Sequence, residues 1–178
     1  DRGFGLTEEH EFGAAMLWFA RALEHAPPDD AAMRRVILTN INAAQHHLLS
    51  LKGIGPVSSI YLLSELMTMP PGLDVRQWVA HAGLDPRPIQ SGTSVHPPVH
   101  ISKMGNVHLR RALFMPALVA HRWNPAVRAY AQHLQAQGKP PMVILVAVMR
   151  KLLHAIFGML KTNTDFQPEK FYREPKTN

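Results

Sequence analysis

Apolar residues recur every three or four positions along most of this chain, a spacing that predicts amphipathic α-helices. One stripe follows Thr7, a candidate N-cap, and ends before Pro27; it consists of Phe12, Met16, Phe19 and Leu23. A second stripe consists of Met33, Ile37, Ile41, Ala44 and Leu48. We predict that residues 1–49 form an antiparallel, coiled-coil-like helix pair that links to the main domain. Stripes this short favour core packing over a dimer surface.

Residues 50–66 have the pattern of two helices joined by a tight glycine turn. Gly53 and Gly55 precede Pro56, which stands where proline is favoured in the first turn of a helix. This is the helix-hairpin-helix pattern, in which free amides at a helix start bind a phosphate and Lys52 adds positive charge. Gly55→Val is expected to block that approach. The alternative is a glycine turn that binds no ligand.

The second half of the chain is predicted to hold four more helices and no strand. Gly83 closes the first, Asn106 is a good N-cap for the second, and Asn124 precedes the third. The fourth is apolar on nearly all sides, which predicts the central core helix. The fold class is therefore all-α, a compact helical domain containing a helix-hairpin-helix motif over 50–162. A polar tail follows over 163–178, with Phe166, Phe171 and Tyr172 as its candidate anchors.

Positive charge is concentrated in one part of the chain. The formal net charge is +6 and the sequence pI is about 10.0. Residues 86–164 contain ten Lys or Arg and no Asp or Glu, whereas residues 1–50 contain seven acids and four Lys or Arg. Such a field favours a polyanion, namely DNA, RNA or an acidic membrane surface. The alternative is a helical interaction domain whose basicity is incidental.

Length and composition narrow the class of protein to which this chain can belong. The 178 residues suit one domain, alone or with a helical extension. No apolar run reaches the roughly 20 residues of a membrane span, so no membrane partner is expected. Without Cys there is no disulfide and no thiolate metal site, which is compatible with an intracellular setting. Because the first residue is Asp, we interpret the chain as a fragment of a longer protein.

Candidate chemistry is concentrated in residues 86–113. Hydroxyl nucleophiles in this stretch need a base, a metal or positive surroundings to react; they are Ser91, Thr93, Ser94 and Ser102. Cations that neutralise a phosphoryl group occur in the same stretch: Arg87, Lys103, Arg110 and Arg111. By spacing alone, a Ser-Gly-Thr-Ser cluster is a loop-forming sequence rather than an active site.

Histidines occur as two close pairs, His46 with His47 and His96 with His100. Two prolines inside the second pair prevent the helical alignment that a shared metal would need. The acid-free stretch also supplies no carboxylate partner, so no two-metal nuclease centre can be built from it. We interpret these residues as polar histidines rather than metal ligands.

Several short blocks nevertheless occur in the order and spacing of one known family. They are LKGIGP (51–56), WVAHAGLDPR (78–87), SGTS (91–94), ISKMGN (101–106), LRRAL (109–113), GK (138–139) and MRKL (149–152). Together they resemble the C-terminal transposase domain of the DEDD-type insertion-sequence transposases, which are related to the pilin-gene invertases. The resemblance extends over about residues 45–162.

The resemblance implies a bacterial, cytoplasmic, nucleoid-associated DNA recombinase whose sites are chosen by a structured bridge RNA. It implies that Ser91 is the nucleophile and forms a phosphoserine link to DNA, in a site assembled between protomers of a homo-oligomer. In that family Mg²⁺ belongs to a RuvC-like domain, and no cofactor is expected in this chain. The residues expected to bind phosphate or nucleic acid are Lys52, Gly53, Gly55, Arg87, Ser94, Ser102, Lys103, Asn106, Arg110, Arg111, Lys139, Arg150 and Lys151.

The sequence departs from the family pattern in three places. No strand with the expected RuvC-like Asp occurs, residues 95–100 are rich in Pro and His, and residues before 45 match only loosely. We therefore expect the chain alone to cut DNA poorly. The alternatives left open are a non-catalytic helix-hairpin-helix module that binds nucleic acid and an inactive transposase remnant.

Overall fold

The computed structural model describes residues 31–70, 72–87 and 100–173. Within these ranges the helices are α1 (Ala31–Ser50), α2 (Pro56–Met67), α3 (Val75–His81), α4 (Val107–Trp123), α5 (Pro125–Ala136), α6 (Pro141–Thr162) and α7 (Pro168–Phe171). Two short strands, β1 (Pro86–Arg87) and β2 (His100–Ile101), complete the described part. The predicted all-α fold is confirmed. The first predicted helix, which contains Phe12, lies outside the described residues.

Side-chain caps set the starts of several helices. Asn106 Oδ1 accepts hydrogen bonds from two amides of the first turn of α4, at 2.8 and 3.0 Å. Asn124 caps α5 in the same manner. The Asn106 cap was predicted from the sequence, and for Asn124 the prediction was that a helix starts there. α3 begins with a full capping box between Asp74 and Gln77, in which each side chain bonds the backbone amide of the other residue.

The core is built around α6, the most apolar helix. Four helices pack against it, namely α1, α3, α4 and α5. The ring of Trp78 on α3 meets Phe157 edge-on, with 5.0 Å between ring centroids. The buried residues of α6 are Ile144, Leu145, Val148, Met149, Leu152, Leu153, Ile156, Met159 and Leu160. The prediction of a central core helix is confirmed.

The apolar composition of α6 allows a second interpretation besides that of a core helix. By length and composition alone the helix could cross a membrane, although Arg150 and Lys151 interrupt its apolar run. Half of its most apolar window is buried against the other helices. Packing in the core therefore accounts for its composition.

A small antiparallel ladder was not predicted. Pro86 lies opposite Ile101 and Arg87 lies opposite His100. The expectation of no strand was wrong here, because strands of two residues are too short to show an alternating pattern. The ladder brings together the two ends of residues 88–99, a segment outside the described residues.

The C-terminal segment packs against the body of the fold. Phe171 is buried, and its ring meets Tyr130 of α5 edge-on with 6.1 Å between centroids. The two ring nitrogens of His47 lie 2.7 Å from Asp165 Oδ1 and 2.8 Å from Asn163 Oδ1. The expected anchoring by Phe171 is confirmed, and His47 adds a polar attachment to α1.

Candidate nucleic-acid interface

The two glycines in the turn between α1 and α2 have different surroundings. Gly53 has a φ of +128°, and a Cβ there would lie 2.6 Å from Ala120 Cβ and 2.8 Å from the Ala120 backbone. Gly53 therefore lets the turn contact α4 directly. A Cβ at Gly55 would meet nothing within 4 Å. A larger residue is therefore expected to disrupt the turn at Gly53 but not at Gly55.

The start of α2 next to this turn is open. Gly55 is the N-cap residue and provides no side-chain hydrogen bond, and Pro56 has no amide N–H, so within the described residues the N-cap leaves the next amides, from Val57 on, without a side-chain cap. Val57 is 81% exposed, and Lys52 is exposed beside it. These are the properties that phosphate binding at a helix start requires. Binding at this position stays a prediction.

Arg110 holds together the turn that precedes α4. Its Nη1 donates to the Ala82 carbonyl at 2.7 Å, and its Nη2 donates to the Lys103 carbonyl at 3.4 Å. The turn is tight, since Lys103 has a φ of +54°. A Cβ on the buried Gly83 would lie 2.6 Å from Arg110 Nη1. Arg110 therefore joins the end of α3 to the approach of α4.

Two further contacts position the same turn. The Ser102 hydroxyl donates to the Asp85 carboxylate, and the Ser102 amide donates to the Asp85 carbonyl at 2.9 Å. Asn106 Nδ2 donates to Glu65 Oε2 at 2.8 Å, which fixes the start of α4 against α2. Ser102 and Asn106, both predicted phosphate ligands, thus have protein partners already.

Five other predicted cations are exposed, although not all of them lie near this turn. Lys52, Arg87, Lys103, Arg111 and Lys139 all have exposed side chains. Arg87 Nη1 donates to Met104 Sδ at 3.2 Å. Within the described ranges, no ion pair links any of these five to a carboxylate. They are available to an anionic ligand, whereas Arg110 is occupied. Ser91 and Ser94 lie outside the described residues.

Arg110 and Arg111 are expected to respond differently to mutation. Arg110→Met leaves two carbonyls without their donor and is expected to lower the free energy of unfolding by about 2 kcal/mol. Arg111→Met removes an exposed cation and is expected to change that free energy by less than about 0.5 kcal/mol, while weakening nucleic-acid binding. Urea unfolding and binding titrations on both variants check this. Equal losses of stability would contradict the roles assigned here.

A second cationic region lies on α6, beside the C-terminal segment. Lys151 Nζ lies 4.6 Å from the centroid of the Tyr130 ring, and burial lowers the pKa of Lys151. Burial raises the pKa of Tyr130, and the Arg150 charge partly offsets that rise. Burial, followed by the charges of Arg150 and Lys151, lowers the pKa of His154.

Sequence reasoning identified Arg150 and Lys151 but not their neighbours. His154 stands four residues after Arg150 and three after Lys151, a helical spacing that places all three close together on α6. This helical spacing is the sequence feature from which the position of His154 beside the two cations could have been predicted. The sequence pattern does not associate Tyr130 with these residues, because Tyr130 lies on a different helix, α5.

One group of described residues has donors close enough to share a metal ion. The ligand atoms of His46, His47 and Asp165 lie within 4.8 Å of one another. Two imidazoles and one carboxylate are not the oxygen set that Mg²⁺ prefers. His47 also uses both ring nitrogens in hydrogen bonds to Asn163 and Asp165. The group does not fit Mg²⁺, and we interpret it as an attachment of the C-terminal segment.

Residues 86–164 carry ten Lys or Arg and no acid, a charge distribution typical of polyanion-binding domains. Comparison with known proteins gives a family to which part of the chain is similar. Residues 45–132, just under half of the chain, match the model described as Transposase IS116/IS110/IS902 family.

Curated relatives agree with this assignment. Pilin gene-inverting proteins from Moraxella bovis and Moraxella lacunata are each 33% identical over 120 residues, which is 67% of this chain and 37% of each relative. The "Insertion element IS110 uncharacterized 43.6 kDa protein" of Streptomyces coelicolor is 30% identical over 140 residues, 75% of this chain and 34% of that protein. The chain thus spans about a third of the length of these relatives.

Proposed function

We propose that this chain is the DNA-binding, nucleophile-bearing domain of a site-specific DNA transposase or recombinase. The observation that carries the proposal is the family match, which spans Ser91 and the turn held by Arg110. Relatives named for inverting a pilin gene support a reaction on DNA. Lys103 and Arg111 are exposed cations at this turn and form no ion pair within the described ranges, so they supply positive charge that a phosphodiester would attract.

The proposed reaction is a strand exchange through a serine ester. Ser91 Oγ attacks the phosphorus, and the bond from phosphorus to the departing sugar oxygen breaks. The proton lost by Ser91 is balanced by the one that the departing oxygen takes up. One phosphate ester replaces another, so the strand can be rejoined without an energy source. Lys103 and Arg111 are proposed to neutralise the charge that builds on the phosphoryl oxygens.

Partner nucleic acids and assembly are part of the same proposal. The resemblance assigns site choice to a structured bridge RNA and assembly of the active site to a homo-oligomer. The acid-free stretch of residues 86–164 supports binding of more than one phosphate backbone. The resemblance places Mg²⁺ in a RuvC-like domain. The donor group of His46, His47 and Asp165 does not fit that ion, so the proposed roles of Ser91, Lys103 and Arg111 involve no metal bound by this group.

Ser91→Ala is the test of the nucleophile. In the full-length protein, supplied with its RNA, Mg²⁺ and labelled DNA, the covalent protein–DNA adduct is trapped in detergent and measured on a denaturing gel. We expect the variant to lose adduct by about 10³-fold or more. Ser102→Ala is the matched control and is expected to keep the adduct, because the Ser102 hydroxyl is engaged by Asp85.

Three outcomes separate the candidate functions. An adduct formed by the Ser91→Ala protein would show that another group is the nucleophile. Salt-dependent nucleic-acid binding without any adduct from the unmodified protein would favour the non-catalytic module. Binding that does not vary with salt would rule out both the transposase domain and the non-catalytic nucleic-acid-binding module.

A further inference from the structure

A cavity of about 620 Å³ lies between α6, α5 and the C-terminal segment. This volume is within the range of small-ligand sites in proteins and is large enough for one nucleotide. Its lining combines cations with aromatic rings, and the residues that matter are Tyr130, Arg150, Lys151, His154, Phe166 and Phe171. The cavity is distinct from the turn held by Arg110, since the two share no residue.

Two cationic side chains that line the cavity have no carboxylate partner within the described part of the chain. Arg150 is one of them; its Nε is buried away from the open space, and no hydrogen-bond acceptor contacts it there. The other is Lys151, whose ammonium group contacts the rings of Tyr130 and Phe171. An anion entering the cavity would be attracted by both cations.

Aromatic rings line the cavity as well. Phe166 and Phe171 lie with 5.7 Å between ring centroids, and Tyr130 meets Phe171 edge-on at 6.1 Å. Phe171 is buried, whereas Phe166 is half-buried and is therefore the more accessible ring of that pair. Flat rings of this kind stack with nucleobases whatever the base, because every base has a π-face. A cavity that combines cations with an accessible aromatic ring matches the phosphate and the base of a nucleotide.

One lining group opposes an anion. The Asp165 carboxylate faces the cavity, but its Oδ1 lies 2.7 Å from His47 Nδ1 and so is engaged outside the site. Lys170 adds a further cation to the lining. The cavity is therefore lined by three cationic side chains and one carboxylate; the cations are Arg150, Lys151 and Lys170, and the carboxylate is that of Asp165.

We propose that this cavity receives one unpaired nucleotide of the bound nucleic acid, with its phosphate against Arg150 and Lys151 and its base against the ring of Phe166. The inference rests on the proposed function, because it names the part of the nucleic acid that this surface recognises. DNA and RNA offer the same chemistry, a phosphate that bears a flat base. The site would hold an extruded base and thereby fix the register of a partly paired strand.

The test compares three labelled duplexes in DNA and in RNA versions. One is fully paired, one carries a single bulged nucleotide, and one carries the same bulge without its base. Dissociation constants are measured by fluorescence anisotropy at one fixed salt concentration. The full-length protein is expected to bind the bulged duplex about tenfold more tightly than the paired one. The preference should disappear when the base is absent, and the two versions show whether DNA or RNA supplies the nucleotide.

Three variants separate the cavity from general charge. Arg150→Gln is expected to remove the roughly tenfold preference for the bulge, in addition to the loss of affinity for every probe that removal of one positive charge causes. Gly158→Leu keeps every charge but fills the cavity, because a Cβ at Gly158 meets nothing within 4 Å; it should also remove the preference. Lys139→Gln removes an exposed charge elsewhere and should weaken binding to all probes alike.

The outcomes distinguish failure of this inference from failure of the proposed function. If no duplex is bound in a salt-dependent manner, the proposed function fails and the inference fails with it. If all duplexes are bound but no bulge preference exists, the inference alone is overturned. Should Arg150→Gln reduce the melting temperature, Gly158→Leu decides: an unchanged preference in that folded variant refutes the nucleotide site.

Discussion

Gly53→Ala is expected to lower the free energy of unfolding by roughly 3 kcal/mol, a large part of the stability of a domain this size. Two physical costs add here. A φ of +128° strains any residue with a Cβ, at about 1–3 kcal/mol. The new methyl group would also stand 2.8 Å from the Ala120 backbone, which cannot rotate away as a side chain could, and overpacking costs about 1–3 kcal/mol.

Gly55→Ala is the matched control for this prediction, two residues along the same turn. Its backbone has a φ of −91°, which any residue adopts, and its Cβ would face open space. We expect a change within about 1 kcal/mol, reflecting only the weaker N-cap preference of Ala. Urea unfolding of both variants measures the difference. Similar losses of unfolding free energy for Gly53→Ala and Gly55→Ala would show that the turn does not pack closely against Ala120.

Leu152→Ala is the second change with a large expected effect. Leu152 is fully buried in the middle of α6, where α4 and α5 pack against the same helix. Helices on several sides prevent the core from closing over the space left by the lost methyl groups. We therefore expect a loss of about 3–4 kcal/mol in the free energy of unfolding, from transfer of the side chain and from the cavity together.

Leu118→Ala provides the surface comparison. Leu118 is 45% exposed on α4, so the same truncation removes less buried area and leaves no cavity. We expect a loss below about 1 kcal/mol in urea unfolding. If Leu118→Ala costs as much as Leu152→Ala, the exposed face of α4 is covered by another surface in solution.

Helix boundaries in the second half of this chain were the most predictable feature. Asn106 and Asn124 stand directly before apolar periodic segments, and each accepts amide hydrogen bonds as its position predicts. The core helix was equally evident, because α6 is apolar on nearly every side. These features are local, since one residue and its next few neighbours determine them.

The role of Arg110 was not predictable, although its presence in a basic stretch was. Arg110 and Arg111 are adjacent, and a step of one residue along a helix turns the side chain by about 100°. One arginine therefore reaches the Ala82 carbonyl while the other stays exposed. The sequence shows two equal cations. Only the position of α3 beside the start of α4 makes them different.

The cavity on α6 could not be predicted for a similar reason. Its lining comes from α5, α6 and the C-terminal segment, and the contact between Tyr130 and Phe171 joins positions far apart in the chain. The packing of three separate segments creates the space. A sequence pattern reports neighbours within a few residues, so Arg150 and Lys151 appeared only as two more basic residues.

The antiparallel pairing of α2 and α4 also sets a length. Asn106 meets Glu65 at one end of the pair, and Ala120 meets Gly53 at the other. Fourteen residues of helix separate Asn106 from Ala120, a distance of about 21 Å along the axis of α4. At about 3.4 Å per base pair, this corresponds to roughly six base pairs of duplex. Under the proposed function, a duplex lying along α4 would need at least this length to contact both the glycine turn and the Arg110 turn.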